Sequence, residues 1–173
     1  MIIIGIDPGV ALVGYGIIST KIHKDKRQDR NEKPKVIDFG CIITHPSSSV
    51  GERLEIIHNE VLKLIKKHQP DIMSVEALFF FKNLKTAMPV SQARGVILLA
   101  AAKYKVPLLE FTPLQVKMTV AGYGRAEKKQ VQEMTKQLLD LSSFDIKEKD
   151  RKKDDASDAL GVALCAFLTF GPQ

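Results

Sequence analysis

The 173-residue sequence has no tryptophan, and only 6% of its residues are aromatic. Its two cysteines, Cys41 and Cys165, make no CxxC pair, which excludes a secreted disulfide scaffold. His23, His45, His58 and His68 show no HxxxH spacing and no paired cysteine, so a zinc site has little support. Long hydrophobic runs are missing too. The longest candidate, Ala159 to Phe170, falls short of the ~20 apolar residues a membrane helix needs. The opening MIIIGID has no basic segment and meets a carboxylate at Asp7, unlike a signal peptide. Proline and glycine, 8 and 11 residues, are too few for a fibrous protein, and 45% apolar residues are too many for a disordered chain. A chain of this length suits one domain that buries roughly two thirds of its unfolded surface. The expectation is a soluble, single-domain protein of a reducing compartment, with no membrane contact.

The net charge is +6, and its excess is local. Between Lys21 and Lys35 seven basic and three acidic residues contribute +4. Such a segment suits phosphate binding, and it equally suits a solvated loop tip.

Periodicity supplies the outline. Met1 to Ile6 is a nearly continuous β-branched run, as in a strand covered on both faces, and Pro8-Gly9 breaks it. Ala11 to Ser19 reads as a second strand, with Gly14 and Gly16 thinning one face, and Lys35 to Thr44 as a third. Leu54, Ile57, Val61 and Leu64 then repeat at helical spacing from Gly51 to His68, where Gln69-Pro70 stops the helix. Asp71 to Val75 is a short strand ending at Glu76, followed by a turn and a helix over 84–103 whose second half, GVILLAAA, is apolar nearly all round. A helix of that kind is buried on two sides, and a partner subunit can supply the second. A strand over 106–109, a short helix over 113–120, a helix over 126–141, an exposed charged stretch over 145–153 and a last helix over 154–170 complete the chain. The order predicts an α/β fold: a five-stranded mixed sheet flanked by helices on both faces.

Four acids stand where chemistry is done. Asp7 ends the first strand and Glu76 the fourth; as parallel neighbours they would emerge at one sheet edge, where open α/β sheets bind ligands. Asp155 and Asp158, three apart at the start of the last helix, project to one side. Two like charges ~4 Å apart repel by about 4 kcal/mol at an effective dielectric of ~20. A divalent cation reverses that sign, and all-oxygen ligands select Mg²⁺ or Mn²⁺. Two such ions can serve phosphodiester hydrolysis. Each acid alone also suits a turn or a helix cap, and Asp154 adds a further acid beside the pair. Phe79, Phe80 and Phe81 suit a core or a base-stacking wedge.

Together the strings GIDPG (5–9), VGYGII (13–18), Glu76 with FFFKN (79–83), SQARGVILLAA (91–101), TPLQVKMTVAGYGRAEKKQV (112–131) and DASDAL (155–160) resemble the RuvC Holliday-junction resolvases, of the RNase H-like superfamily. The resemblance spans nearly the whole chain and implies a single RNase H-like nuclease domain over 1–173. It places metal-binding catalytic carboxylates at Asp7, Glu76, Asp155 and Asp158, a junction-stacking aromatic at Phe79, and DNA-binding lysines at Lys117 and Lys128. It further implies a cytoplasmic homodimer that nicks two opposed strands of a four-way DNA junction symmetrically, leaving 5′-phosphate and 3′-hydroxyl ends. Two Mg²⁺ per active site, with Mn²⁺ as substitute, and the branch-migration proteins RuvA and RuvB belong to the same implication. The basic 21–35 segment looks longer than the family's usual connection, and some members carry His in the last-helix motif. Three rival readings are a junction-binding scaffold without catalysis, an actin-like nucleotide binder and a related nuclease acting on RNA.

Overall fold

The computed structural model describes residues 1–20, 33–77, 84–142 and 151–170. Strands β1 (Ile2–Asp7), β2 (Leu12–Ser19) and β3 (Lys35–Ile43) form an antiparallel meander, and β4 (Ile72–Glu76) and β5 (Leu108–Phe111) continue the sheet in parallel with β1. The order across the sheet is β3-β2-β1-β4-β5, the mixed five-stranded arrangement expected. Helices α1 (Val50–His68) and α2 (Leu84–Lys103) pack on one face; α3 (Pro113–Ala121), α4 (Lys128–Leu138) and α5 (Arg151–Phe170) lie on the other.

Local chemistry sets the ends of these elements. Ser49 and Glu52 form a reciprocal cap at the start of α1, and Gln69 closes it in the left-handed conformation at φ 47°, directly before Pro70. Thr112 and Gln115 cap α3 in the same way, with Pro113 as its first residue, and Gly122 ends it at φ 82°.

Strand alternation sends side chains to two cores. Ile4, Ile6, Met73 and Val75 pack with Ile57, Val61, Ile97 and Ala101 beneath α1 and α2. Ile3, Ile18, Val36 and Phe111 pack with Val116, Val120, Val162 and Leu164 beneath α3 and α5. On this second face α5 rests on backbone. A Cβ at Gly5 would stand 2.2 Å from the Ala159 carbonyl oxygen and 2.5 Å from the Ala163 nitrogen; one at Gly14 would stand 2.2 Å from the Asp155 oxygen. The glycines therefore do more than thin a strand face: they admit the helix that carries two of the acids.

Several boundaries differ from the sequence reading. The last helix begins at Arg151, before Asp154, because Arg and Lys continue a helix readily, so Asp155 and Asp158 lie beyond its first turn. Helix α4 stops at Leu138, since residues beyond it turn to pair with β3: Val36 N–H donates to the Asp140 oxygen at 3.0 Å and Asp140 N–H to the Pro34 oxygen at 2.8 Å. Strand β5 starts at Leu108, two residues later than expected, where its ladder with β4 begins. Most of the basic 21–35 segment lies outside the described residues.

Replacing Gly5 by Ala should force α5 off the sheet and cost about 1–3 kcal/mol or more. Gly51→Ala in α1, where a Cβ meets nothing within 4 Å, should be neutral or stabilising. Urea unfolding of the two variants checks the contrast; equal midpoints would contradict the backbone seat.

Candidate metal centre

Asp7 closes β1, opposite Gly14 on β2, and the parallel register Ile6↔Val75 sets Asp7 beside Glu76 at the end of β4. Both acids follow the alternation that points Ile3 and Ile72 toward α5. Helix α5, seated on Gly14, delivers Asp155 and Asp158 to the same end. One carboxylate oxygen from each of Asp7, Asp155 and Asp158 can be chosen so that all three lie within 4.8 Å of one another, each residue being partly buried. Glu76 joins them through a hydrogen bond with Asp7. Asp154 is exposed and is not in this group.

Burial pushes the Asp7 carboxyl well above the usual carboxylate range, and the neighbouring charges of Glu76, Asp158 and Asp155 push it further. Glu76 is raised as well, first by burial and then by Asp158, with the Asp7 hydrogen bond and Lys128 opposing.

Helix α4 supplies the balancing groups. Lys128 Nζ stands 2.6 Å from Asp158 Oδ2, and the Gln132 side-chain amide donates to Asp158 Oδ1 at 3.2 Å. Lys128, expected as a DNA contact, is thus also a counter-ion of the acid cluster, with its side chain 56% exposed. Sequence reasoning missed Gln132. Its signal was the i,i+4 spacing from Lys128, which sets both side chains on one helix face. Lys117 is partly buried on α3 and makes no ion pair with a described residue. Arg94 pairs with Glu110 on β5. Phe79 lies outside the described residues.

The donor set fits a hard divalent cation: it is all oxygen, convergent and partly buried, and its mutual repulsion is relieved by positive charge.

A protein-family model described as "Crossover junction endodeoxyribonuclease RuvC" matches residues 3–166. The protein of that name from Alkaliphilus metalliredigens is 49% identical over 165 residues, covering 95% of this chain and 92% of the relative. The one from Fusobacterium nucleatum is 45% identical over 173 residues, covering all of this chain and 83% of the relative. Among solved structures, "T. thermophilus RuvC in complex with Holliday junction substrate" superposes with a TM-score of 0.83 at 29% identity, covering 99% of this chain and 95% of that one. The sheet and helices are those of the RNase H-like fold.

The raised carboxyls set the sign of a pH dependence. Asp7 and Glu76 hold protons more tightly folded than unfolded, so the stability they contribute is full below the ordinary carboxylate range. It is lost as pH rises through their raised folded values. In chelator at neutral pH, Asp7→Asn should therefore raise Tm, by about 2–4 °C per kcal/mol of repulsion relieved. Mn²⁺ should raise Tm of the wild type and leave D7N unmoved. Thermal melts with and without Mn²⁺ check both; a D7N that melts lower in chelator would contradict the repulsion.

Proposed function

The chain belongs to the crossover junction endodeoxyribonuclease RuvC family, and from that membership we propose how its residues carry out the family's reaction. It is a DNA endonuclease that resolves four-way (Holliday) junctions, an activity of recombination and repair. The observation that carries the mechanistic reading is the convergence of Asp7, Asp155 and Asp158, with Glu76 bonded to Asp7, at one end of the sheet.

Asp7, Glu76, Asp155 and Asp158 would hold two Mg²⁺ ions, with Mn²⁺ as substitute. When bound, such a pair supplies charge stabilisation for in-line displacement at phosphorus. The protein's own part is positional. β1 and β4 present Asp7 and Glu76 from rigid strand ends, and α5 presents the other two from a helix pressed onto the sheet. Because every ligand comes from a fixed element, little reorganisation is needed when substrate arrives. Lys117 and Lys128 hold the phosphodiester backbone beside the acids, and Phe79 stacks on an unpaired base near the crossover. Scission leaves 5′-phosphate and 3′-hydroxyl ends.

Symmetric nicking of two opposed strands needs two such sites in fixed relation, hence a homodimer of single nuclease domains, each spanning 1–173. Helix α2 supports this assignment: it buries Ala93, Ile97, Ala100 and Ala101 against the core yet leaves Met88 72% and Leu99 52% exposed. Those two side chains offer the dimer a starting contact. RuvA and RuvB would supply branch migration. No helix among the described residues is long and apolar enough to cross a membrane, and a cytoplasmic setting suits a DNA-acting enzyme.

On a synthetic mobile four-way junction the wild type should make paired nicks in opposed strands only with Mg²⁺ or Mn²⁺, and spare linear duplex. D7N should bind the junction and fail to cut, with a rate loss of at least about 10³-fold. Cutting by D7N at the wild-type rate would refute the metal assignment. Tight junction binding by the wild type with no nicks in either metal would favour a scaffold.

A further inference from the structure

Asp158 is held at both oxygens, and both holders come from α4. Lys128 takes Oδ2 at 2.6 Å and Gln132 takes Oδ1 at 3.2 Å. The two side chains rise one turn apart from a single helix face. They differ in kind. Gln132 is a neutral donor on a partly buried stretch of helix, while Lys128 is a charged head on a flexible stem, more than half exposed.

We infer that Gln132 is the positioning residue of Asp158, retained when a divalent cation binds, and that Lys128 is an exchangeable counter-ion which then leaves Asp158 and turns to DNA phosphate. The inference rests on the metal reading above. A carboxylate that ligates a cation is normally fixed by a further hydrogen bond from the protein, which orients it without competing for charge. The Gln132 amide meets that description, and a neutral group has no reason to depart when positive charge arrives. The Lys128 ammonium is in the opposite position, since a divalent cation on the same carboxylate repels it. Its exposed stem lets the head swing outward while the helix stays in place. One helix thus links the two events. The cation's arrival releases a phosphate-binding group beside the site, and a bound phosphate, by holding Lys128 away, leaves Asp158 free for the cation. The coupling is reciprocal, as any linkage between two binding equilibria must be.

Calorimetric titration of the full chain with Mn²⁺, without DNA, tests both halves. Q132M keeps the length of the side chain and removes its donor; it should raise the Mn²⁺ Kd about 10-fold, within the usual range for loss of such a supporting bond. Q132A, equally suited to a helix, should do the same, and melts in chelator verify that both fold. K128M should lower the Mn²⁺ Kd while weakening junction binding. In junction cleavage, the half-saturating Mn²⁺ concentration of Q132M should rise by more than its plateau rate falls, whereas a merely structural role would lower the plateau throughout. Unchanged Kd in both Gln132 variants, or a K128M that binds Mn²⁺ no more tightly than wild type, overturns the inference. D7N separates that failure from a deeper one: if D7N binds Mn²⁺ like the wild type, the metal reading itself falls.

Discussion

The contact between α5 and bare strand backbone governs the molecule. A helix normally sits on a sheet through a layer of side chains, and that layer lets it shift by small amounts. Here the cushion is missing at Gly5 and Gly14, where carbonyl oxygens of α5 approach so closely that even a methyl group would collide. Ala159 and Ala163 provide the matching small residues on the helix. The helix has little room to slide or tilt, and Asp155 and Asp158 inherit that rigidity.

Rigidity of this kind must be set against charge. Burial and mutual repulsion raise Asp7 and Glu76, and relaxation apart is the natural response of such a cluster. The elements that bear the acids are well buried among the described residues. Ile3, Ile4 and Ile6 of β1 and Ala163, Leu164 and Ala166 of α5 are fully covered. The apolar core holds the acids together, while Lys128 and Gln132 hold Asp158 and the Lys128 charge also favours the ionised Glu76. The arrangement is a cluster whose unfavourable charge a bound divalent cation would relieve.

Much of this was legible in the sequence because the relevant signals are local. The β-branched run into Asp7, the helical repeat from Leu54 to Leu64 and the caps around Ser49 and Thr112 each declare themselves within a few residues. The four acids could be singled out because Asp7 and Glu76 end strands and Asp155 and Asp158 share one side of a helix. What escaped was settled by contacts between distant segments. Leu139 to Leu141 continue a helical pattern but leave the helix to pair with β3. Gly14 looked like a thinned strand face, and its partner is the Asp155 carbonyl on an element far along the chain. Gln132 carries no charge and belongs to no catalytic motif, so only its bond to Asp158 distinguishes it. Phe79 lies in a stretch the structure does not describe.

The glycine seat also has a consequence in time. Among the described elements β1 and β2 come first in chain order, and α5, which fills their glycine face, comes last and is synthesised after them. Their contacts span nearly the longest sequence separations the protein offers, so the loop they close is entropically expensive and their docking comes late in folding. The β1–β2–β3 meander carries Asp7, β4 adds Glu76, and neither acid meets Asp155 or Asp158 until α5 is made. A chain that ends before α5 lacks Asp155 and Asp158. The order in which the chain is made keeps the four acids from coming together as a set until α5 has been synthesised.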